Sequence, residues 1–145
     1  MANMCNYFTD ASYSPTHNIG ILGTRRENGE IVITRTENMK NTQCELESFV
    51  LTLEYALSNN DKNIIIFTDC SNVCRLVHER NDSREKRYKD FYKRYDHCVE
   101  NDMIIDVRLV KGHSPQNVKT ECEKLFCDVD KKVRKVLRET VDMLA

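Results

Sequence analysis

Acidic residues that could bind a metal ion occur at four widely separated places in the chain. They are Asp10, Glu45, Asp69 and the pair Asp128 and Asp130. Asp69 comes two residues after an apolar run typical of a β-strand, and Asp10 lies late in another such run. Carboxylates about 4 Å apart repel each other by roughly 4 kcal/mol per pair at an effective dielectric of about 20. If folding brings these groups together, the natural counterion between them is a divalent metal ion.

Length and composition are those of one folded domain. The chain has 145 residues, of which 31% are charged and 40% hydrophobic, so we expect a single domain over residues 1–145. Its N-terminal residues lack the pattern of a signal peptide, and no apolar run approaches the length of a membrane span. We therefore expect an intracellular protein without a membrane partner, in the cytoplasm or else in the nucleus or an organelle. The seven cysteines form no Cys-x-x-Cys pair and are expected to be reduced thiols.

Apolar periodicity predicts three strands in the first quarter of the chain, over Cys5–Tyr13, Ile19–Thr24 and Ile31–Thr34. The last two strands flank Asn28-Gly29, a pair that supplies the positive φ angles of a tight hairpin turn. A helix over Thr42–Ser58 follows, and Thr42 and Glu45 have the spacing of a capping box at its start.

The remainder of the chain alternates between strands and helices. The predicted elements are a strand over Ile64–Phe67, helices over Ser71–His78 and Ser83–Val99, a strand over Met103–Val110 and a final helix from Cys122. The run Ile64–Phe67 is apolar without alternation, as in a strand covered on both faces. This order of elements predicts an α/β domain with a mixed sheet flanked by helices.

Two of the acidic residues have a structural as well as a functional interpretation. Asp69 is either a ligand at the carboxyl end of a strand or a cap for the helix that begins at Ser71. Asp10 is costly inside a central strand unless it is paired or metal-bound, but an edge strand would leave it at the surface.

The other two positions are also open to two interpretations. Glu45 either closes the capping box or is a ligand, and it is preferred to Glu47, which shares a helix side with Glu54. Asp130 borders the buried stripe of the last helix, whereas Asp128 has lysines four residues away on both sides, as on a solvated face. Asp130 is therefore the preferred fourth acid, with Asp128 as the alternate.

A net charge of −1 gives the chain no overall attraction to nucleic acid, so binding must come from local basic stretches. The densest stretch contains Arg84, Lys86, Arg87, Lys89, Lys93 and Arg94. Tyr88 and Tyr92 lie between these charges and are either stacking platforms or the core side of a solvated helix. The cations are candidates for holding the phosphates of a nucleic acid strand without sequence preference.

Four short motifs in this order resemble ribonuclease H of the type 1 family. They are Thr-Asp-Ala-Ser at 9–12, Cys-Glu-Leu at 44–46, Phe-Thr-Asp at 67–69 and Lys-Gly-His-Ser at 111–114. The resemblance implies a sheet of five strands, antiparallel over the first three and then parallel. It also implies an enzyme that uses two Mg²⁺ or Mn²⁺ ions to cleave the RNA strand of an RNA–DNA hybrid, leaving 5′-phosphate and 3′-hydroxyl ends. We expect the protein to be a monomer.

The same resemblance assigns roles to individual residues. The implied metal ligands and catalytic carboxylates are Asp10, Glu45, Asp69 and Asp130, with Asp128 as the alternate, and His113 is the implied loop histidine that helps the product leave. The implied substrate contacts are Ser12, Asn41, Thr42 and Ser71. The basic stretch, independently of the resemblance, adds Lys86, Arg87 and Lys89 as candidates for substrate binding. The alternatives are a DNA nuclease or junction resolvase of the same fold, and a nucleic-acid-binding module without catalysis.

Overall fold

A computed structural model describes residues 4–110 and 120–144 of the chain. Within these residues a five-stranded sheet has helices on both faces. The elements are β1 (Cys5–Ser14), β2 (Ile19–Arg26), β3 (Ile31–Glu37), α1 (Asn41–Ser58), β4 (Asn63–Thr68), α2 (Ser71–His78), α3 (Asp82–Arg87), α4 (Lys89–Glu100), β5 (Ile104–Leu109) and α5 (Glu121–Met143). None of these helices has the length and apolar character needed to cross a membrane.

The sheet has the strand order β3-β2-β1-β4-β5, which makes β1 the central strand. Strands β1, β2 and β3 pair antiparallel, whereas β1, β4 and β5 pair parallel. The α/β class and the mixed five-stranded sheet predicted from the sequence are thus confirmed. The structure also excludes an edge position for Asp10, because its strand has a neighbour on each side.

Adjacent residues of β1 point to opposite faces of the sheet and enter two separate hydrophobic cores. Tyr7 packs in the core that includes Phe49 of α1. Phe8 packs in the core beneath α5, which includes Phe126 and Val133. Each helix layer is therefore held by its own side of the central strand, so that β1 fixes the position of α1 relative to α5.

The hairpin between β2 and β3 differs from the tight turn predicted for Asn28-Gly29. Neither residue has a positive φ, and the last paired residues are Arg25 and Ile31. The amide of Gly29 donates a hydrogen bond of 2.8 Å to the carbonyl of Arg26. The prediction was wrong because the loop is longer than two residues, and longer hairpin loops are commonly built around an ordinary type I turn.

The start of α1 also differs from the prediction. The helix begins at Asn41, with Lys40 as the residue before it, and the side chain of Gln43 accepts a hydrogen bond of 2.9 Å from the Lys40 amide. The predicted capping box of Thr42 with Glu45 is therefore wrong. This leaves the carboxylate of Glu45 available for other contacts.

The predicted helix over Ser83–Val99 is two helices in the structure. The backbone leaves helical geometry at Tyr88, where φ is −118° and ψ is 47°, so that α3 ends and α4 begins there. Tyr92 is buried in α4 and its hydroxyl donates a hydrogen bond of 2.7 Å to the carbonyl of Leu76. Its contacts are those of a core residue and not of a stacking platform.

Candidate active site

The register between β1 and β4 brings Asp10 to Asp69. The parallel pairing runs from Cys5 with Ile64 to Phe8 with Phe67. Two residues further along the same register, Asp10 stands opposite Asp69, just beyond the end of β4. Ligands of open α/β sheets bind outside the carboxyl ends of the strands, at the point where the strand order reverses. The two aspartates therefore lie where a site is expected in such a sheet.

A glycine allows α5 to approach Asp10 closely. Gly23 pairs with Asp10 across β1 and β2, and a Cβ atom added to it would lie 2.6 Å from Val133 Cγ1 and 3.0 Å from Val129 Cγ1. No ordinary side chain fits at that separation, so the missing side chain permits the contact. Asp130 follows Val129 on the helix and is thereby placed beside Asp10.

A buried serine attaches α1 to the strand that carries Asp10. The hydroxyl of Ser48 lies 2.9 Å from the carbonyl oxygen of Asp10, 3.2 Å from that of Gly23 and 2.7 Å from the hydroxyl of Thr9. Glu45 lies three residues before Ser48, about one turn of helix away and on the same side. This anchor directs Glu45 toward the acidic end of β1.

Four carboxylates from four parts of the fold line one cavity of about 200 Å³. They come from β1, α1, the end of β4 and α5, and they belong to Asp10, Glu45, Asp69 and Asp130. Glu45 and Asp69 do not cap helices, since the N-cap residue of α1 is Lys40 and that of α2 is Cys70. The interpretation of Glu45 and Asp69 as helix-capping residues is therefore wrong.

Burial and mutual repulsion change the protonation of the cavity. Asp10 is only 8% exposed, and its pKa is raised from 3.8 to about 9 by burial, by side-chain interaction with Asp130 and by the charge of Asp69. The pKa of Asp69 is also raised, first by partial burial and then by the charges of Glu45 and Asp130. Arg134 forms an ion pair with Asp130 from one turn further along α5. One carboxyl group of the cluster thus keeps a proton at neutral pH.

The donor set suits a hard divalent cation. All four side chains offer carboxylate oxygens, the ligands that Mg²⁺ prefers, and Oδ2 of the buried Asp10 has no hydrogen-bond partner among the described residues. As they stand, no three His, Cys, Asp or Glu side chains in the described ranges are arranged to hold an ion together. Binding would therefore require loss of the Asp10 proton and small rotations of the carboxylates.

The alternate acids are engaged elsewhere. Asp128 is 58% exposed and lies 3.5 Å from Arg25, and it does not line the cavity. Glu47 forms an ion pair of 2.8 Å with Arg94, which also binds Glu54, as expected from the shared helix side. The structure therefore places Asp130 and Glu45, and neither of their neighbours, with Asp10.

The predicted substrate contacts are only partly gathered at this cavity. Ser12 lines it, whereas Asn41 and Ser71 lie exposed at the starts of α1 and α2. Thr42 lines a second cavity of about 540 Å³ between α1 and the junction of α3 with α4. His113 lies outside the described residues.

Basic residues line this second cavity together with two acidic ones, Glu47 and Asp90. Its lining includes Lys40, Arg87 and Lys89, whereas Lys86 is exposed on α3 and lines neither cavity. Lys40 was not among the predicted contacts, because one lysine in front of a helix forms no recognisable sequence pattern. Arg134 was also missed as a cavity residue, although its spacing of four from Asp130 indicated an ion pair.

Comparisons with known proteins give a family and a fold for the chain. Residues 2–129 match the family model described as RNase H. The structure is similar to the crystal structure of RNase H1 from the halophilic archaeon Halobacterium salinarum NRC-1, with a TM-score of 0.59 and 16% sequence identity. The match covers 74% of this chain and 86% of the archaeal chain, and at this identity it shows a shared fold. No curated protein matches the sequence.

Proposed function

Because the chain belongs to the RNase H family, we propose that it is a metal-dependent endoribonuclease that hydrolyses the RNA strand of RNA–DNA hybrids. The proposal rests on one observation above all, the convergence of Asp10, Glu45, Asp69 and Asp130 on a single cavity. Carboxylates gathered in this way destabilise a fold unless they are neutralised, so their presence indicates a functional demand for them.

In this proposal the four carboxylates hold two Mg²⁺ or Mn²⁺ ions. Two such ions, held by these residues, would supply an activated water for in-line attack on a phosphodiester and positive charge beside the leaving 3′ oxygen. Asp10 gives up the proton that its raised pKa retains in the metal-free protein. Arg134 neutralises part of the charge of Asp130 and orients its carboxylate through their ion pair. The products are a 5′-phosphate and a 3′-hydroxyl end.

Substrate binding is assigned to local positive charge. The second cavity carries Lys40, Arg87 and Lys89, which suit the phosphates of the DNA strand. Ser12 lines the acidic cavity, where a hydroxyl could contact the RNA 2′-OH and so distinguish RNA from DNA. Affinity should fall as the salt concentration is raised, because each phosphate contact releases counterions on binding.

The experiment is cleavage of an end-labelled RNA–DNA hybrid in the presence of Mg²⁺. We expect Asp10→Asn, Glu45→Gln and Asp130→Asn each to lower the rate by about 100-fold or more, since each removes a ligand charge. The matched control is Asp128→Asn, which alters a neighbouring acid outside the acidic cavity and should retain activity within about threefold.

The same assay includes duplex DNA, a four-way DNA junction and single-stranded RNA at equal concentration. Preferential cleavage of the junction or the duplex would replace the proposed substrate. Absence of cleavage of the hybrid by the unaltered protein, at any Mg²⁺ or Mn²⁺ concentration, would contradict the proposal as a whole.

A further inference from the structure

Cys70 makes a contact with the acidic cavity that the proposed function does not use. The residue directly follows Asp69 and is 9% exposed. Its Sγ atom lies 2.9 Å from Oε2 of Glu45 on α1. An ionised carboxylate can only accept hydrogen bonds, so the thiol is the donor in this pair.

The backbone holds this thiol in a fixed position. Cys70 occupies the N-cap of α2, and its amide donates a hydrogen bond of 3.1 Å to the hydroxyl of Thr68, which is itself 3% exposed. Its carbonyl accepts from the amide of Cys74 at 3.4 Å. The thiol is therefore presented from a rigid junction between β4 and α2, and not from a mobile loop.

The side chain of Glu45 needs a hydrogen-bond donor to fix its position. The Ser48 hydroxyl fixes the backbone of α1 against β1, but the long side chain of Glu45 keeps several rotatable bonds. The charges of Glu45 and Asp69 repel each other across the cavity. A donor on the far side is thus required to hold the Glu45 carboxylate near Asp69 before a cation arrives.

We propose that Cys70 is a positioning residue, whose thiol holds the carboxylate of Glu45 at the cavity in readiness for metal binding. The inference rests on the proposed function in that Glu45 is taken as a ligand. A serine would supply the same donor at nearly the same place, whereas an alanine would not. The proposal therefore predicts that serine, but not alanine, can replace Cys70.

The test compares Cys70→Ser and Cys70→Ala, with Cys74→Ala as the matched control on the same helix. The first readout is carbon-13 NMR of the side-chain carboxyl groups without metal, in which the Glu45 signal is the one lost in Glu45→Gln. This signal should move in Cys70→Ala and stay close to its native position in the other two variants.

The second readout is the affinity for Mn²⁺, measured by calorimetry. Cys70→Ala should bind Mn²⁺ about fivefold more weakly, as expected for loss of one modest hydrogen bond, and Cys70→Ser should remain within about twofold of the unaltered protein. The KM for the hybrid should be the same in all of them, because Cys70 does not line the cavity that carries the basic residues.

The outcomes separate the two proposals. A Glu45 signal that does not move in Cys70→Ala, or Mn²⁺ affinity lowered equally in Cys70→Ser and Cys70→Ala, would overturn the positioning role. If Cys70→Ala does not fold, Cys70→Val, which fills the site with a somewhat larger apolar side chain and has no donor, is measured instead. Failure of the unaltered protein to cleave the hybrid would contradict the proposed function, while the metal-free NMR comparison would still decide whether the thiol holds Glu45.

Discussion

Replacing Asp10 by asparagine should stabilise the metal-free protein, and the gain should grow with pH. Asp10 is buried beside Asp69 and Asp130, and its pKa is about 9 in the fold against 3.8 ordinarily. Asparagine has nearly the same shape and carries no charge at any pH. The substitution therefore removes an ionisable group from the cluster while leaving its packing in place.

The size of the effect follows from the two pKa values. Between pH 3.8 and about 9, the folded protein keeps a proton on Asp10 that the unfolded chain has released. The stability that this proton represents is fully present below the lower pKa and is lost as the pH rises through the higher one. The free energy of unfolding falls by up to about 1.4 kcal/mol per pH unit in this window. From pH 6 to pH 8 this amounts to up to about 3 kcal/mol, or about 10 °C in Tm.

The assay is thermal unfolding at pH 6, 7 and 8 with a chelator present. The Tm of the unaltered protein should fall across this range by more than that of Asp10→Asn, and the two curves should diverge most at pH 8. Asp128→Asn is the control, because its carboxylate is 58% exposed and lies outside the cavity. Equal pH dependence in the unaltered protein and Asp10→Asn would refute the argument that Asp10 is buried among like charges.

Three further substitutions test the supports of the cavity. Gly23→Ala should lower the free energy of unfolding by about 1–3 kcal/mol in urea and slow hybrid cleavage, because its Cβ would meet two valines of α5 at 2.6 and 3.0 Å; unchanged stability would show that α5 can withdraw freely. Ser48→Ala should cost about 1–3 kcal/mol in the same urea titration, through its buried hydrogen bonds, whereas the exposed Ser58→Ala should cost under about 0.5 kcal/mol. Arg94→Met breaks ion pairs of 2.8 and 2.7 Å with α1. Thermal unfolding should therefore show a free energy of unfolding lowered by about 1 kcal/mol at low salt and by less in 1 M NaCl. A loss of stability that does not depend on salt would indicate a packing role instead.

Local sequence patterns predicted the elements whose signals are strong and uninterrupted. The helix over Ser71–His78 has the predicted bounds, and the apolar run Ile64–Phe67 lies within β4. The break at Tyr88 was not predictable in this way, because the apolar stripe continues across it into Phe91 and Tyr92. Periodicity reports which face is buried, and it does not report a change of backbone angle at one residue.

The candidate site shows a similar division. Residue types and order led to Asp10, Glu45 and Asp69, but periodicity alone left Asp128 open beside Asp130. That choice depends on how α5 is rotated against the sheet, and a close approach at Gly23, more than 100 residues earlier in the chain, contributes to setting it. Contacts of this range have no local signature.

The contact between Cys70 and Glu45 likewise could not be predicted from the sequence. The two residues are 25 positions apart and belong to different elements. Their contact depends on how α1 packs against β1 and on the conformation of the turn after β4. Neither of these can be predicted from a sequence motif. From the sequence, Cys70 was therefore predicted to be an ordinary reduced thiol, and only the fold shows it beside the carboxylate of Glu45.

The most direct test of the account is a crystal structure of the unaltered protein grown with Mn²⁺, with the ions located by their anomalous scattering. We expect Mn²⁺ in the acidic cavity, bound by Asp10 together with Glu45, Asp69 or Asp130. Anomalous signal only at other positions, with the cavity carboxylates turned away, in a protein that cleaves the hybrid with Mn²⁺ would contradict the claim that these four side chains form the metal site.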